Sequence, residues 1–291
     1  MIRRTWERWV SHCEREVDIR PIALMRIFVA LCILGDLLRV AQLGLVDDFF
    51  LPYGDGGLSG IEESWWLLDD VVGADRAGFL AYGVTLVCAA MIALGIGVRP
   101  AIVIGVLFYA QLGHGYPPGD RAIDRVLRLM LMFLLFTPAH RKWALSNVVF
   151  GQPAVEVARG WIYDLVKWFL IVMYLCAGVG KLQNNPDWLG LGTYSPLYRI
   201  LTDPLASNLD PAAWYAVHPL FRIGSWATIA IELTPFLMLT RWCPVWAIGG
   251  FLMHFGIALT MNLGMFSWGM LAMYPLLFAP WLFEPRGLPF R

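Results

Sequence analysis

The sequence predicts an all-α, polytopic membrane helix bundle of about eight spans, and three observations carry that prediction. Of 291 residues, 58% are hydrophobic and 15% charged, against roughly half and a quarter in soluble domains. The apolar residues fall in runs long enough to cross about 30 Å of hydrocarbon, which takes roughly twenty residues of helix. Fourteen Trp and ten Tyr suit a chain with two water–lipid boundaries, where amphipathic rings collect.

Taken in order, the first run, 21–43, follows about twenty largely charged and polar residues. That lead-in is too long and too acidic for a cleavable signal peptide, so the run is expected to stay as an anchor. Further spans are predicted at 77–98, 100–116, 121–138, 160–182, 221–240, 243–262 and 264–282. The third is short and ends at Gly113-His114-Gly115-Tyr116-Pro117-Pro118, which predicts a broken helix or a tight turn. Between spans, residues 44–76 carry Trp65-Trp66 among acidic residues and read as an interfacial helix or lid. Residues 183–220 are rich in Pro, Asn, Asp and Tyr and read as a loop with short turns. The chain reads as one membrane domain, 1–291, with no appended soluble domain.

Charge gives orientation. An N-inside, eight-span arrangement puts Arg3, Arg4, Arg8, Arg15, Arg20, Arg99, Arg141, Lys142, Arg159, Arg241, Arg286 and Arg291 on one side. The other side holds mainly Arg76, Arg121, Lys181, Arg199 and Arg222, with an acidic loop at 47–75. The positive-inside rule then expects both termini in the cytoplasm. A net charge of zero excludes a basic nucleic-acid binder, which needs surplus Lys and Arg against phosphates. Five scattered cysteines without a CxxC read as packed side chains rather than a disulfide or metal framework.

Ionisable groups inside spans are costly and need a partner, a cavity or a task. Asp164 and Lys167, spaced i, i+3, are expected to pair on their own helix. Arg26 and Arg39 are expected to snorkel to headgroups. The outer half holds Asp36, Asp124, Arg128, Lys181, Glu232 and His254, with Asn262 about two turns above His254. Two readings stand open: one cavity facing the extracytoplasmic side, or interhelical ion pairs that include Asp124, Arg128 and Glu232. Tyr174, Gly178 and Lys181 share a stripe, where Gly178 and Gly180 permit close approach of a neighbour or ligand. A lysine so placed loses ammonium character on burial and becomes a usable general base. At a helix end the same lysine can instead snorkel.

The stretch Tyr174-Leu-Cys-Ala-Gly-Val-Gly-Lys181-Leu, followed by Asp187-Trp188, resembles the helix of vitamin K-dependent gamma-carboxylase that carries its catalytic lysine. Gly264-Met-Phe-Ser-Trp-Gly-Met-Leu-Ala272 is similar to that enzyme's last membrane segment. Asp124-Arg-Val-Leu-Arg128, Phe136-Thr-Pro138 and the opening Arg26, Asp36 and Arg39 resemble the wider horizontally transferred transmembrane (HTTM) domain family. The resemblance implies a membrane-embedded base acting on a reduced quinone, a vitamin K-type hydroquinone, with O2 and CO2. Its catalytic set here is Lys181, His254 and Glu232. Its substrate-binding set is Tyr174, Asp124, Arg128, Asn262 and His114, and it includes no metal. His114 stands near the position of the family's catalytic histidine, while Gly180-Lys181 replaces the carboxylase's two adjacent lysines.

Membrane lipids, a secreted peptide substrate and an accessory protein are the expected partners, and the bacterial inner membrane is the expected location. In size the chain also resembles the membrane protein that matures a sporulation-delaying peptide. A non-catalytic or auxiliary role in maturing a secreted peptide toxin is therefore one alternative. A small-molecule or ion transporter is another, and a haem protein built on His114, His218 and His254 ranks below both.

Overall fold

A computed structural model describes residues 2–59, 72–190, 195–207 and 218–283. The chain runs through α1 (Ile2–Glu14), β1 (Glu16–Asp18), α2 (Arg20–Gln42) and α3 (Val46–Phe50). It continues through α4 (Ala74–Leu94), α5 (Val98–Gly115), α6 (Ala122–Leu135), α7 (Leu145–Val149) and β2 (Val157–Arg159). The last part holds α8 (Trp161–Asn184), α9 (Pro196–Thr202), α10 (His218–Leu233), α11 (Cys243–Thr260), α12 (Phe266–Leu271) and α13 (Tyr274–Leu282). The expected lid around Trp65-Trp66 lies outside the described residues. So do residues 191–194 and 208–217 of the long loop, whose described part folds as a 3-10 turn at Pro186–Leu189 and as α9.

Among the described residues, four helices are long and apolar enough to cross a membrane: Arg20–Gln42, Arg76–Leu94, Trp161–Asn184 and Cys243–Thr260. At 1.5 Å per residue, eighteen residues make about 27 Å, close to the hydrocarbon thickness. α5 equals the shortest of these four at 18 residues but is less apolar, and the remaining predicted spans are shorter or interrupted. α6 has 14 residues, about 21 Å. α10 stops at Leu233 and passes into a 3-10 turn at Pro235–Leu239. The last run breaks between Leu271 and Tyr274, because Pro275 has no N–H and its ring would strike the carbonyl four residues back.

The contacts divide into two compact units, residues 16–159 and residues 1–15 with 160–291. In the first, α2 packs on α4 and α6, and α4 and α5 form an antiparallel hairpin. The hairpin turns at Gly95 and Gly97, both with positive φ. A side chain at Gly95 would also strike Ala144 and the Arg26 guanidinium, each at 2.5 Å. The core is the apolar face of α2 (Ile22, Met25, Val29, Ile33, Leu37) against Ala81, Ala89 and Ile92 of α4, Ile102 of α5, and Leu127 and Met130 of α6. β1 and β2 pair antiparallel, Val17 opposite Ala158, and Ile19 N–H donates to the Glu156 carbonyl at 3.1 Å.

Arg26 corrects the snorkelling expectation. It is fully buried, and it donates to the Trp143 carbonyl at 2.8 Å and the Lys142 carbonyl at 3.4 Å. The loop reaches it because Trp143 adopts a φ of 48°, so backbone carbonyls replace headgroups as acceptors. Arg39 is exposed.

In the second unit α8 packs against α10, and α11 packs against α12, α13 and the 3-10 turn at Pro235–Leu239. Here the expected Asp164–Lys167 pair is replaced. Asp164 takes a two-pronged guanidinium from Arg15, at 2.7 and 2.9 Å, with His12 Nε2 at 3.2 Å. A planar guanidinium matches both carboxylate oxygens at once, which a lysine one turn away cannot do. All five cysteines are free, with Cys32 and Cys88 buried and Cys176 exposed.

Candidate functional site

The residues singled out by sequence fall into two clusters, one in each unit. In the unit of residues 16–159, Asp124 sits in the first turn of α6 and has four donors. They are the Tyr109 hydroxyl at 2.7 Å, the Arg121 backbone N–H at 2.9 Å, and two guanidinium nitrogens of Arg121, each at 2.9 Å. The same Arg121 reaches Asp36 on α2 at 2.5 Å. The backbone bond is half of a capping box at the start of α6, so the carboxylate serves helix and ion pair together. One turn on, Arg128 lies over the Tyr109 ring at 5.3 Å and donates to Asp120 at 2.7 Å. This is the ion-pair reading for Asp124 and Arg128, with partners from α2 and the loop before α6.

Beside this network is a pocket of about 320 Å³. Asp36, Asp124 and Arg121 supply its polar wall, and Phe49, Phe50 and Tyr116 its aromatic one. His114 does not line it, being exposed at the end of α5.

The other cluster gathers on α8, α10, α11 and α13. Gly178 is its hinge point: a side chain there would meet Glu232 Cβ at 3.0 Å and Leu233 at 2.9 Å. The close approach read from the sequence is real at Gly178. At Gly180 no described residue lies within 4 Å of where a side chain would start, so that position is open. One turn above Gly178, Lys181 Nζ donates to Glu232 Oε1 at 2.5 Å and stands 5.5 Å from the Trp188 ring. Lys181 is therefore not a lone amine. It is half of an ion pair whose lysine side chain is 29% exposed and whose glutamate is 7% exposed.

Two turns below Lys181, Tyr174 points its hydroxyl at His254 Nε2 (2.7 Å) and at the Tyr274 hydroxyl (2.8 Å). Its ring meets Trp246 edge-on at 4.9 Å. Trp246, Gly250 and His254 recur every four residues and so share one face of α11. Gly250 makes the room: a Cβ there would sit 2.3 Å from the Tyr274 hydroxyl. Tyr174 is within electrostatic range of Glu232, and His254 of Lys181, which joins the two parts of the cluster. Among the described residues, three of its atoms are buried without a hydrogen-bond partner: Glu232 Oε2, His254 Nδ1 and Ser267 Oγ. Asn262 does not join them. It lies past the end of α11, exposed, with its backbone N–H on the Ala206 carbonyl at 2.8 Å.

Sequence reasoning missed Arg121, Tyr109, Tyr274 and Ser267 as site members. Arg121 stands three residues before Asp124, a spacing that was available but was read only as outer charge. Tyr274 is a lone hydroxyl in an apolar run, and nothing in one dimension ties it to a glycine 24 positions earlier. No group of three or more metal-ligating side chains occurs among the described residues.

This geometry belongs to a chain with four membrane-length apolar helices and ionisable groups buried among them, an integral membrane protein. Among curated proteins and solved structures, comparison finds no match. The model of the HTTM domain does match, over residues 14–281, and the chain belongs to the HTTM domain family.

Proposed function

We propose that the protein is an enzyme of the bacterial inner membrane. In this reading the Lys181–Glu232 pair is the proton-accepting centre for modification of a peptide or small substrate at the extracytoplasmic face. Eight spans with both termini in the cytoplasm are part of the proposal, supported by the distribution of Arg and Lys. The observation that carries it is Glu232 Oε2. Its sister oxygen is held by Lys181, yet Oε2 is buried with no partner. Leaving a buried polar atom unpaired costs about 1–3 kcal/mol, and such costs recur where a ligand completes the bonding.

The residues fit the polar end of a hydroquinone. Oε2 accepts a hydroxyl proton, Gly180 leaves open space beside Lys181, and Trp188 offers an aromatic wall 5.5 Å from Nζ. Such a group, when bound, supplies the reducing equivalents that oxygen chemistry needs. The chain's own part is proton handling. Glu232 Oε2 takes the proton while Lys181 keeps Oε1 and balances the charge. Tyr174 and Tyr274 fix the His254 ring, leaving Nδ1 as a second proton-holding atom.

The test is hydroquinone-dependent oxygen uptake by protein reconstituted in liposomes. Glu232→Gln and Lys181→Ala are expected to lower it at least about 100-fold, the usual scale of a lost acid–base group. Undiminished uptake in a folded, inserted Lys181→Ala protein refutes the reading. A second reading, small-molecule transport, draws on the pocket at Asp36 and Arg121. It predicts substrate flux that fails in pocket variants and is indifferent to Glu232→Gln.

A further inference from the structure

The N-terminal helix has no part in the chemistry above, yet its design is specific. On α1, Trp6, Trp9, Val10 and Cys13 follow the i, i+3, i+4, i+7 spacing of one helical face. Arg4, Arg8 and Ser11 occupy the opposite face, and Arg3 and Glu7 pair at 2.8 Å on the flank. The stripe is uncovered at its two tryptophans: Trp6 is 61% and Trp9 56% exposed, with their rings 5.0 Å apart, while Val10 and Cys13 are half-buried. Two adjacent bare indoles on a short charged helix are costly in water and favourable at a headgroup boundary.

The fold also fixes where that stripe sits. Arg15, just past α1, clamps Asp164 in the first turn of α8 and accepts the Gly160 N–H on its carbonyl at 2.8 Å. Gly160 has no side chain because one would lie 2.7 Å from the Arg15 stem. α1 is thereby tied to the beginning of a membrane-length helix. The start of α11 is at the same level, since Cys243 lies within electrostatic range of Lys167 on α8. Around that level Trp168 and Trp242 are also exposed, and Arg241 lies over the Trp242 ring at 5.6 Å. Exposed tryptophans with arginines at one end of spanning helices form an interfacial belt.

From this juxtaposition we infer that α1 is a membrane-surface helix. Its Trp6–Trp9 face is seated in the boundary between phospholipid headgroups and acyl chains, and the Arg15–Asp164 clamp holds it parallel to that surface. A stripe this narrow, with charges all round the remaining faces, lies on a bilayer rather than crossing it. The arginines on the outer face meet water and lipid phosphate.

Two measurements on the full chain in phosphatidylcholine bilayers, the first in nanodiscs, test this. Hydrogen exchange is expected to show residues 2–14 protected at least tenfold over the W6S/W9S variant, at any ratio of protein to nanodisc. In liposomes, a spin label at Trp9→Cys is expected to be more accessible to oxygen than to a water-soluble nickel chelate, with the reverse at Arg4→Cys. Three results overturn the inference. They are water-like accessibility at both positions, low accessibility to both reagents at position 9 (a protein partner on the stripe), and protection that appears only at high protein density (a second copy on it).

Discussion

Asp124 and Glu232 are both buried carboxylates held by a basic residue, and they differ in how fully they are bonded. Asp124 receives four hydrogen bonds from two residues. Glu232 receives one from Lys181, and its second oxygen is orphaned. Saturation of that kind is what a structural ion pair needs to offset the desolvation of its charges. An open lone pair beside a partly buried lysine adds nothing to stability and suits proton transfer. The comparison teaches that burial and charge do not separate scaffold from site in a membrane bundle. The completeness of the bonding does.

The largest effect tests the scaffold side. Asp124→Ala strips Arg121 and Tyr109 of their shared acceptor and opens the capping box of α6. A loss of about 3 kcal/mol is expected, at the low end for a broken buried pair because Arg121 is partly exposed. Thermal unfolding in detergent reads it, and an unchanged Tm breaks the comparison. Glu232→Gln should do the opposite. Glutamine keeps an oxygen for Lys181, so Tm holds, while oxygen uptake falls about 100-fold or more, equivalent to about 2.7 kcal/mol of barrier.

Gly250→Ala comes next. The added methyl displaces the Tyr274 hydroxyl from Tyr174, and such overpacking costs about 1–3 kcal/mol. A matching fall in uptake per folded molecule would mark Tyr174–Tyr274 as positioning His254. The smallest effect is acid sensitivity at His140, in the turn after α6. Burial, then the nearby Arg99 guanidinium, hold its imidazole below the ordinary histidine range. The unfolded chain therefore binds a proton first as pH drops through about 6.5, and stability declines from there. His140→Gln is expected to flatten the fall in Tm between pH 7 and pH 5. An equal fall in parent and variant removes His140 from the account.

Much of the scaffold was legible in one dimension. The run 21–43 became α2 at Arg20–Gln42, and 243–262 became α11 at Cys243–Thr260, because an unbroken apolar run has one cheap conformation in lipid. The break read at Gly113–Pro118 stands as the end of α5 at Gly115 and a 3-10 turn at Pro117–Gly119, whereas the prolines inside the predicted spans 221–240 and 264–282 were passed over. Pro235 and Pro275 mark where α10 and the last run break, although hydropathy alone smooths over them. The partners of charges were not legible. Arg26 bonds a loop 117 residues away, and Arg15 bonds Asp164 across 149. Such pairings depend on helix packing, to which local spacing is blind. The stripe Tyr174, Gly178, Lys181 was visible in sequence, while the mate that Gly178 admits, Glu232, needed the fold.

The most direct test is a density map of the protein in lipid nanodiscs with hydroquinone present. The account predicts non-protein density within hydrogen-bond distance of Glu232 Oε2, beside Lys181 and Trp188, which disappears in Glu232→Gln. A map in which Oε2 is bonded only to protein groups, identical with and without the quinol, would contradict it.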